Sequence, residues 1–138
     1  MQDTVFRLKD ISKTFPGVKA LSHIDFDLKP GEIHCICGEN GAGKSTLIKI
    51  ISGAYQPDAG GCIEFEGCPV TLTPRSAMTL GIQTIYQEHT VFPHLTVTEN
   101  IFAGLEIVHG GVINRNEMRA KTKEVLAYLH CGLSPDDN

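Results

Sequence analysis

The chain has 138 residues and a formal net charge of −4 at neutral pH; this length suits one domain with a hydrophobic core and is short for two. It contains no run of Lys or Arg residues, so a nucleic-acid partner is not expected. No apolar stretch approaches the roughly 18 residues that cross a bilayer, and the first residues lack the apolar centre of a signal peptide. We therefore expect a cytoplasmic, soluble chain.

Two half-buried strands are predicted at the start of the chain, because apolar and polar residues alternate there. The apolar members are Phe6, Leu8 and Ile11 in the first strand and Ile24, Phe26 and Leu28 in the second. After a turn at Pro30-Gly31, the short apolar run Ile33–Cys37 predicts an inner strand of a parallel sheet. A helix is predicted from Lys44 to about Ser52, ended by Gly53.

The middle of the chain predicts further strands and one short helix. Ile63 and Phe65 alternate with two glutamates, a pattern typical of an antiparallel strand. Pro74 suits the first position of a helix that runs to Leu80. The apolar run Ile82–Tyr86 predicts another buried strand.

Two helices are predicted towards the end of the chain. The first covers Val97–Ala103, and the second runs from Asn114 to about Cys131. Asn114 and Glu117 have the spacing of a capping box, and the apolar residues that follow keep a helical period. Gly132 is the predicted residue just beyond the end of this helix.

The five cysteines are odd in number and lack paired C-x-x-C spacing, which argues against both a disulfide framework and a zinc site. We expect small buried hydrophobic side chains, because free cysteine is among the most buried residue types. The set is Cys35, Cys37, Cys62, Cys68 and Cys131. The six histidines carry no metal-ligand spacing either.

The segment Gly38–Ser45 matches the phosphate-loop pattern G-x-x-x-x-G-K-[ST] and lies between a predicted strand and a predicted helix. Its glycines allow the backbone N–H groups to surround a phosphate, and the helix N-terminus attracts negative charge. We expect Lys44 to reach the β- and γ-phosphates of ATP and the Ser45 hydroxyl to ligate Mg²⁺. A chance glycine-rich turn is the alternative. The predicted nucleotide-binding residues of this segment are Gly38, Glu39, Asn40, Gly41, Ala42, Gly43, Lys44, Ser45 and Thr46.

Three further segments accompany the phosphate loop: Lys13–Leu21, Ile85–Glu88 and Pro93–Ile101. Together with the loop they resemble the N-terminal cassette of ATP-binding-cassette (ABC) ATPases, specifically those that power monosaccharide import in bacteria. The resemblance covers essentially the whole chain. It implies an α/β P-loop NTPase fold with a mixed sheet, in which an antiparallel N-terminal β element lies beside a mostly parallel core. Residues 1–88 would form that core, and residues 89–138 the start of a helical subdomain of the same, incomplete nucleotide-binding domain.

The resemblance also implies roles for two residues outside the loop. Phe15 stands where an aromatic side chain of the family stacks on adenine; an ordinary core or edge residue is the alternative. Gln87 corresponds to the family's Q-loop glutamine, which ligates Mg²⁺ and orients the attacking water, so the implied catalytic residues are Lys44 and Gln87. Ligands of open α/β sheets bind beyond the carboxyl ends of strands, where Gln87 is predicted to lie. A surface polar residue is the alternative for Gln87.

A working cassette of this family also needs a Leu-Ser-x-Gly-Gln-type signature, a strand ending in Asp-Glu and a switch histidine, and the 138 residues contain none of these. The carboxylates of that Asp-Glu pair would support Mg²⁺ and polarise the attacking water in phosphoryl transfer. Little or no turnover is therefore expected of this chain alone. The implied partners are transmembrane permease subunits, a second ABC cassette in tandem or as a dimer and, indirectly, an extracytoplasmic sugar-binding protein. The chain would then lie peripherally on the inner face of the cell membrane.

Two other functions remain open at this point. One is a non-hydrolysing nucleotide-binding or regulatory protein. The other is a small P-loop kinase, which would usually carry its phosphate loop after the first strand, whereas two predicted strands precede the loop here.

Overall fold

The computed structural model describes residues 4–85 and 91–138. The chain forms two compact units, Met1–Ile85 and Tyr86–Asn138. The elements of the first unit are β1 (Phe6–Phe15), β2 (Val18–Leu28), α1 (Lys44–Ile51), β3 (Cys62–Phe65), β4 (Cys68–Pro69) and α2 (Pro74–Thr79). Those of the second unit are α3 (Val97–Ile101), β5 (Val108–His109), β6 (Val112–Ile113) and α4 (Arg115–Tyr128).

The first unit is built on a four-stranded sheet in the order β2-β1-β3-β4, and every pairing in it is antiparallel. Phe6 lies opposite Leu28 of β2 and Phe65 of β3. The antiparallel pairing confirms the predicted N-terminal element. Apolar residues of this sheet form one buried cluster with residues of α1 and α2 and with Leu72, which lies between β4 and α2. Its buried members are Phe6, Leu8, Ile11, Leu21, Leu47, Ile50, Ile63, Leu72 and Ala77.

The β1–β2 pair contains irregular register steps around Asp10 and His23, both of which adopt positive φ, at 54° and 53°. Left-handed backbone is uncommon outside glycine, although Asp and His adopt it more often than most residues, and local hydrogen bonds support it here. The Asp10 N–H donates to Asp25 Oδ1 at 2.8 Å, and the His23 N–H donates to Ser12 Oγ at 3.0 Å. The His23 and Asp10 side chains also contact each other at 2.5 Å.

The predicted inner strands are not formed in the described residues. Residues 32–39 have no regular secondary structure, and Ile33 is 98% exposed. Residues 82–85 are also irregular, and Tyr86 lies outside the described residues. A strand needs a neighbour that accepts and donates its backbone hydrogen bonds, and no described residue pairs with either segment. The prediction of an α/β fold is confirmed, whereas the prediction of a mostly parallel core is wrong for the part of the chain described.

The prediction that the cysteines are buried is also wrong. Cys35, Cys37, Cys68 and Cys131 are exposed, and Cys62 is half-buried. The first two belong to the unpaired segment before the phosphate loop, where their Sγ atoms lie 3.5 Å apart. Their exposure follows from the absence of strand pairing in residues 32–39, of which Ile36 packs against the buried cluster while Cys35 and Cys37 stay exposed.

The helices follow the sequence signals more closely. α1 starts at Lys44, and α2 has Pro74 at its first position, as predicted. Both α2 and α3 also begin with capping boxes that were not predicted. Their side chains are those of Thr73 with Ser76 and of Thr96 with Glu99.

Only one of the two hydrogen bonds of the capping box predicted for α4 is formed. The Glu117 N–H donates to Asn114 Oδ1 at 3.1 Å, as expected. The Glu117 carboxylate, however, accepts from Asn114 Nδ2 at 3.2 Å, because the Asn114 N–H already donates to the Ile107 carbonyl. At the other end, His130 takes the left-handed conformation after the C-cap, with φ 51°, so the prediction of Gly132 in that role is wrong.

None of the helices in residues 4–85 and 91–138 has the length and apolar character needed to cross a bilayer.

Candidate functional site

The phosphate loop closes against strand β2. Gly43 is the N-cap of α1 and has φ 86°, and Gly41 has φ 87°. A Cβ atom built on Gly43 would lie 2.5 Å from the Ala20 carbonyl oxygen and 2.7 Å from Leu21 Cδ2. Two separate constraints, left-handed backbone and contact with β2, therefore require glycine at position 43. Because residue 43 is left-handed, the first residue of α1 is Lys44.

The Lys44 side chain folds back over the loop from the first residue of α1. Its Nζ donates to the carbonyl oxygens of Gly38 and Glu39, each at 2.7 Å. The Ala42 N–H donates to the Glu39 carbonyl at 3.2 Å, which closes the turn between the two glycine positions. The loop is thus curled around an ammonium group, and that places positive charge where the phosphate-loop pattern predicts a phosphate.

The start of α1 suits an anion. No side chain caps its first N–H groups, and its first turn contains no acidic residue. Uncapped N–H groups and the helix dipole together attract negative charge. Ser45 is exposed and Thr46 is half-buried on this first turn. The structure therefore brings the predicted loop residues Gly38–Thr46 together around one helix N-terminus.

The Ser45 hydroxyl also suits the predicted metal. Among the described residues no group of three His, Cys, Asp or Glu side chains could hold a metal ion. Mg²⁺ beside nucleotide phosphates needs only one or two protein oxygens, because waters and phosphate oxygens complete its octahedron. An exposed hydroxyl on the first turn of α1 fits that requirement. Gln87, the other predicted ligand, lies outside the described residues.

Phe15 is the last residue of β1 and is half-buried. Its ring centroid lies 5.4 Å from that of Tyr55, with 66° between the ring planes. Lys13 Nζ lies 5.6 Å from the Phe15 ring centroid. Phe15 is therefore partly accessible, as a base-stacking residue must be, and its role in adenine binding stays a prediction. Sequence reasoning gave Tyr55 no role, because only the fold brings its ring to Phe15.

The second unit contains a cavity of about 460 Å³, and it is a poor candidate for an anion. Two arginines line it, and each already meets a carboxylate. Arg115 lies 3.3 Å from Glu99, and Arg119 makes a bidentate contact with Asp136, with Nε 2.8 Å from Oδ1. The hydrogen bond from Arg119 lowers the pKa of Asp136. The phosphate loop remains the stronger site.

A curled glycine loop that leads directly into a helix through Lys and Ser defines a P-loop nucleotide-binding protein. Comparison with known proteins narrows this class. The family model described as "ABC transporter" matches residues 21–137, and the chain therefore belongs to the ABC transporter family.

Curated relatives carry sugar-import names. The chain is 51% identical over 134 residues to "Ribose import ATP-binding protein RbsA 1" of Streptomyces avermitilis, covering 96% of this chain and 26% of that protein. It is 45% identical over 135 residues to "Putative ribose/galactose/methyl galactoside import ATP-binding protein 1" of Agrobacterium fabrum, covering 98% of this chain and 27% of that protein. The chain thus spans about a quarter of the length of these relatives.

Solved structures support the same fold. A nucleotide-free ATP-binding cassette from an ABC transporter is similar with a TM-score of 0.74 and 27% identity, over 96% of this chain and 56% of that one. Another ATP-binding cassette of an ABC transporter gives a TM-score of 0.77 and 28% identity, again over 96% of this chain and 56% of the other. The α/β P-loop fold class predicted from the sequence is confirmed by these neighbours.

Proposed function

We propose that this chain is the nucleotide-binding part of an ATP-binding subunit that energises monosaccharide import. The observation that carries the proposal is the phosphate loop, in which Lys44 Nζ lies over the Gly38 and Glu39 carbonyls at the uncapped start of α1. Membership of the ABC transporter family and the sugar-import names of the relatives support the transport role. The sugar itself is not part of the proposal.

The loop residues would act on ATP mainly by positioning and by electrostatics. Backbone N–H groups of the loop and of the first turn of α1 would donate to the phosphate oxygens. The Lys44 ammonium would exchange its carbonyl acceptors for β- and γ-phosphate oxygens, which are stronger acceptors because they are charged. Phe15 would stack on the adenine ring.

Mg²⁺, when bound, supplies charge neutralisation at the phosphates. Ser45 and Gln87 would be its protein ligands, and Gln87 would also orient the attacking water. Gln87 would then act beside Lys44 as the second residue that touches the reacting groups. Its amide offers both a donor and an acceptor for that purpose.

We further propose transmembrane permease subunits as the partners that provide the path across the bilayer. A second ABC cassette, in tandem or as a dimer, and an extracytoplasmic sugar-binding protein would complete the importer. The subunit would then lie peripherally at the inner face of the membrane. Residues 1–88 would serve as the nucleotide-binding core, and residues 89–138 would begin the helical subdomain.

A phosphate-release assay tests the enzymatic part of the proposal. Because the 138 residues contain no strand ending in Asp-Glu and no signature segment, we expect binding of Mg-ATP with little or no steady-state turnover. Robust phosphate release from the purified chain that Lys44→Ala abolishes would contradict that expectation. Release that Lys44→Ala leaves unchanged would indicate a contaminating ATPase, and the assay would then be repeated on further purified protein.

A non-hydrolysing nucleotide-binding or regulatory function is the second candidate, because the phosphate loop around Lys44 accounts for nucleotide binding by itself. Thermal shift with ATP and with ADP, combined with co-purification from cells that contain sugar permeases, separates the two functions. Recovery of a permease with the chain supports the transport role. Nucleotide binding without any permease supports the regulatory one.

A further inference from the structure

We propose that Tyr55 is a positioning residue of the adenine site, which holds the Phe15 ring in the orientation for base stacking. The inference rests on the proposed function, since Phe15 has a base to stack on only if the chain binds a nucleotide. Tyr55 itself need not touch the ligand. It would act through Phe15.

The two rings meet in a favourable geometry. Their centroids are 5.4 Å apart and their planes are inclined by 66°, which is an edge-to-face arrangement. Tyr55 packs against the buried cluster of the first unit, whereas Phe15 is not among the side chains packed there. Phe15, at the end of β1, therefore lacks the support of the core except through neighbours such as Tyr55. The contact with Tyr55 therefore restrains the half-buried Phe15 ring relative to the core.

Tyr55 is also attached to the helix that carries the phosphate loop. Its backbone N–H donates to the Lys49 carbonyl of α1 at 3.0 Å. Lys49 Nζ lies 5.2 Å from the Tyr55 ring centroid, within the range of a cation–π contact. The tyrosine thus joins α1, where Lys44 would meet the phosphates, to the strand end where Phe15 would meet the base.

The segment after Tyr55 is tied to the same end of β1. The Asp58 N–H donates to the Ser12 carbonyl at 2.8 Å, and Lys13 Nζ lies 3.8 Å from Asp58 Oδ1. These contacts fix the path of the chain from residue 55 to residue 58 independently of the aromatic pair. Replacing the Tyr55 ring should therefore release the Phe15 ring without displacing the segment.

The contact between Tyr55 and Phe15 should affect the affinity only of ligands that contain a base. A ring that is already oriented loses less freedom when it stacks, so preorganisation strengthens binding of a ligand that contains a base. A ligand with phosphates alone gains nothing from it. The tyrosine hydroxyl is not required by this reasoning, because the ring edge makes the contact with Phe15.

The test is calorimetric titration of Mg-ATP and of Mg-tripolyphosphate into the wild-type chain, Tyr55→Leu and Tyr55→Phe. We expect Tyr55→Leu to weaken Mg-ATP by about 2- to 10-fold, the range of an aromatic pair, and to leave Mg-tripolyphosphate within the error of the measurement. Tyr55→Phe should match the wild type with both ligands. Equal weakening of both ligands, or unchanged ATP affinity in Tyr55→Leu, would overturn the proposal.

A double mutant shows whether Tyr55 acts through Phe15. Phe15→Ala combined with Tyr55→Leu should bind Mg-ATP no more weakly than Phe15→Ala alone; a further loss would refute the positioning role. Failure of the underlying function gives different results. A wild-type chain that binds neither ligand would refute the phosphate site, and a Phe15→Ala variant with wild-type ATP affinity would refute the adenine role.

Discussion

Gly43→Ala provides a quantitative test of how the phosphate loop is held. The new methyl group would stand 2.5 Å from the Ala20 carbonyl oxygen and 2.7 Å from Leu21 Cδ2, while residue 43 keeps φ near 86°. Gly41→Ala is the matched control, because residue 41 has φ 87° and a Cβ there meets no atom within 4 Å. The two substitutions thus share the backbone conformation and differ in the collision.

The expected magnitudes follow from these two terms. An alanine in the left-handed region costs about 1–2 kcal/mol, and this term applies to both variants. Overpacking against neighbours that must shift adds about 1–3 kcal/mol in Gly43→Ala alone. The smaller conformational entropy of the unfolded alanine variants is common to both and cancels in their comparison. Gly43→Ala should therefore be less stable than Gly41→Ala by about 1–3 kcal/mol.

Urea unfolding of the chain, followed by circular dichroism at the helix band, measures this difference. The comparison uses wild type, Gly41→Ala and Gly43→Ala in the same buffer without nucleotide. Equal stabilities of the two variants would show that the loop does not pack on β2 as described. The close approach of residue 43 to the Ala20 carbonyl would then be refuted.

Three further outcomes are expected. Lys44→Ala should weaken Mg-ATP by about 10- to 100-fold in calorimetry, because a hydrogen bond to a charged group contributes about 1.5–3 kcal/mol, and should still unfold cooperatively in urea; unchanged affinity would exclude its phosphate role. The pKa of Glu99 is lowered, first by the Thr96 backbone N–H, so its contribution to stability is present above its ordinary value of 4.5 and is lost as the pH falls through the folded pKa. Glu99→Gln should reduce this acid dependence in urea unfolding at successive pH values, and an identical pH profile would contradict the capping role. Ile33→Ser should change stability by less than about 0.5 kcal/mol, because that side chain is 98% exposed; a loss above about 2 kcal/mol would indicate a buried strand instead.

The sequence predicted the local elements well where short-range signals decide them. Pro74 at a first helical position, the Asn114 cap and the glycine that follows α1 act within a turn or two of the chain. The alternation in β1 and β3 likewise predicted an antiparallel element, because one face of each strand has to be buried. The phosphate loop was evident from its own eight residues.

The unsuccessful strand and burial predictions depend on distant partners. An apolar run such as Ile33–Cys37 becomes a strand only when another strand supplies hydrogen bonds, and the run itself does not encode that neighbour. The predicted burial of Cys35 and Cys37 depended on the same strand pairing. The contact between Tyr55 and Phe15 was not predicted for a related reason, since it spans 40 positions and arises from the fold alone.

Binding of Mg-ATP to the purified chain tests the central claim most directly. Titration calorimetry with nucleotide at up to millimolar concentration should give a saturable heat at one site per chain. Tripolyphosphate should compete for the same site, because the loop around Lys44 contacts only the phosphates. A folded wild-type chain that gives no binding heat with Mg-ATP, and no protection on thermal melting, would contradict the assignment of Gly38–Ser45 as a phosphate-binding loop.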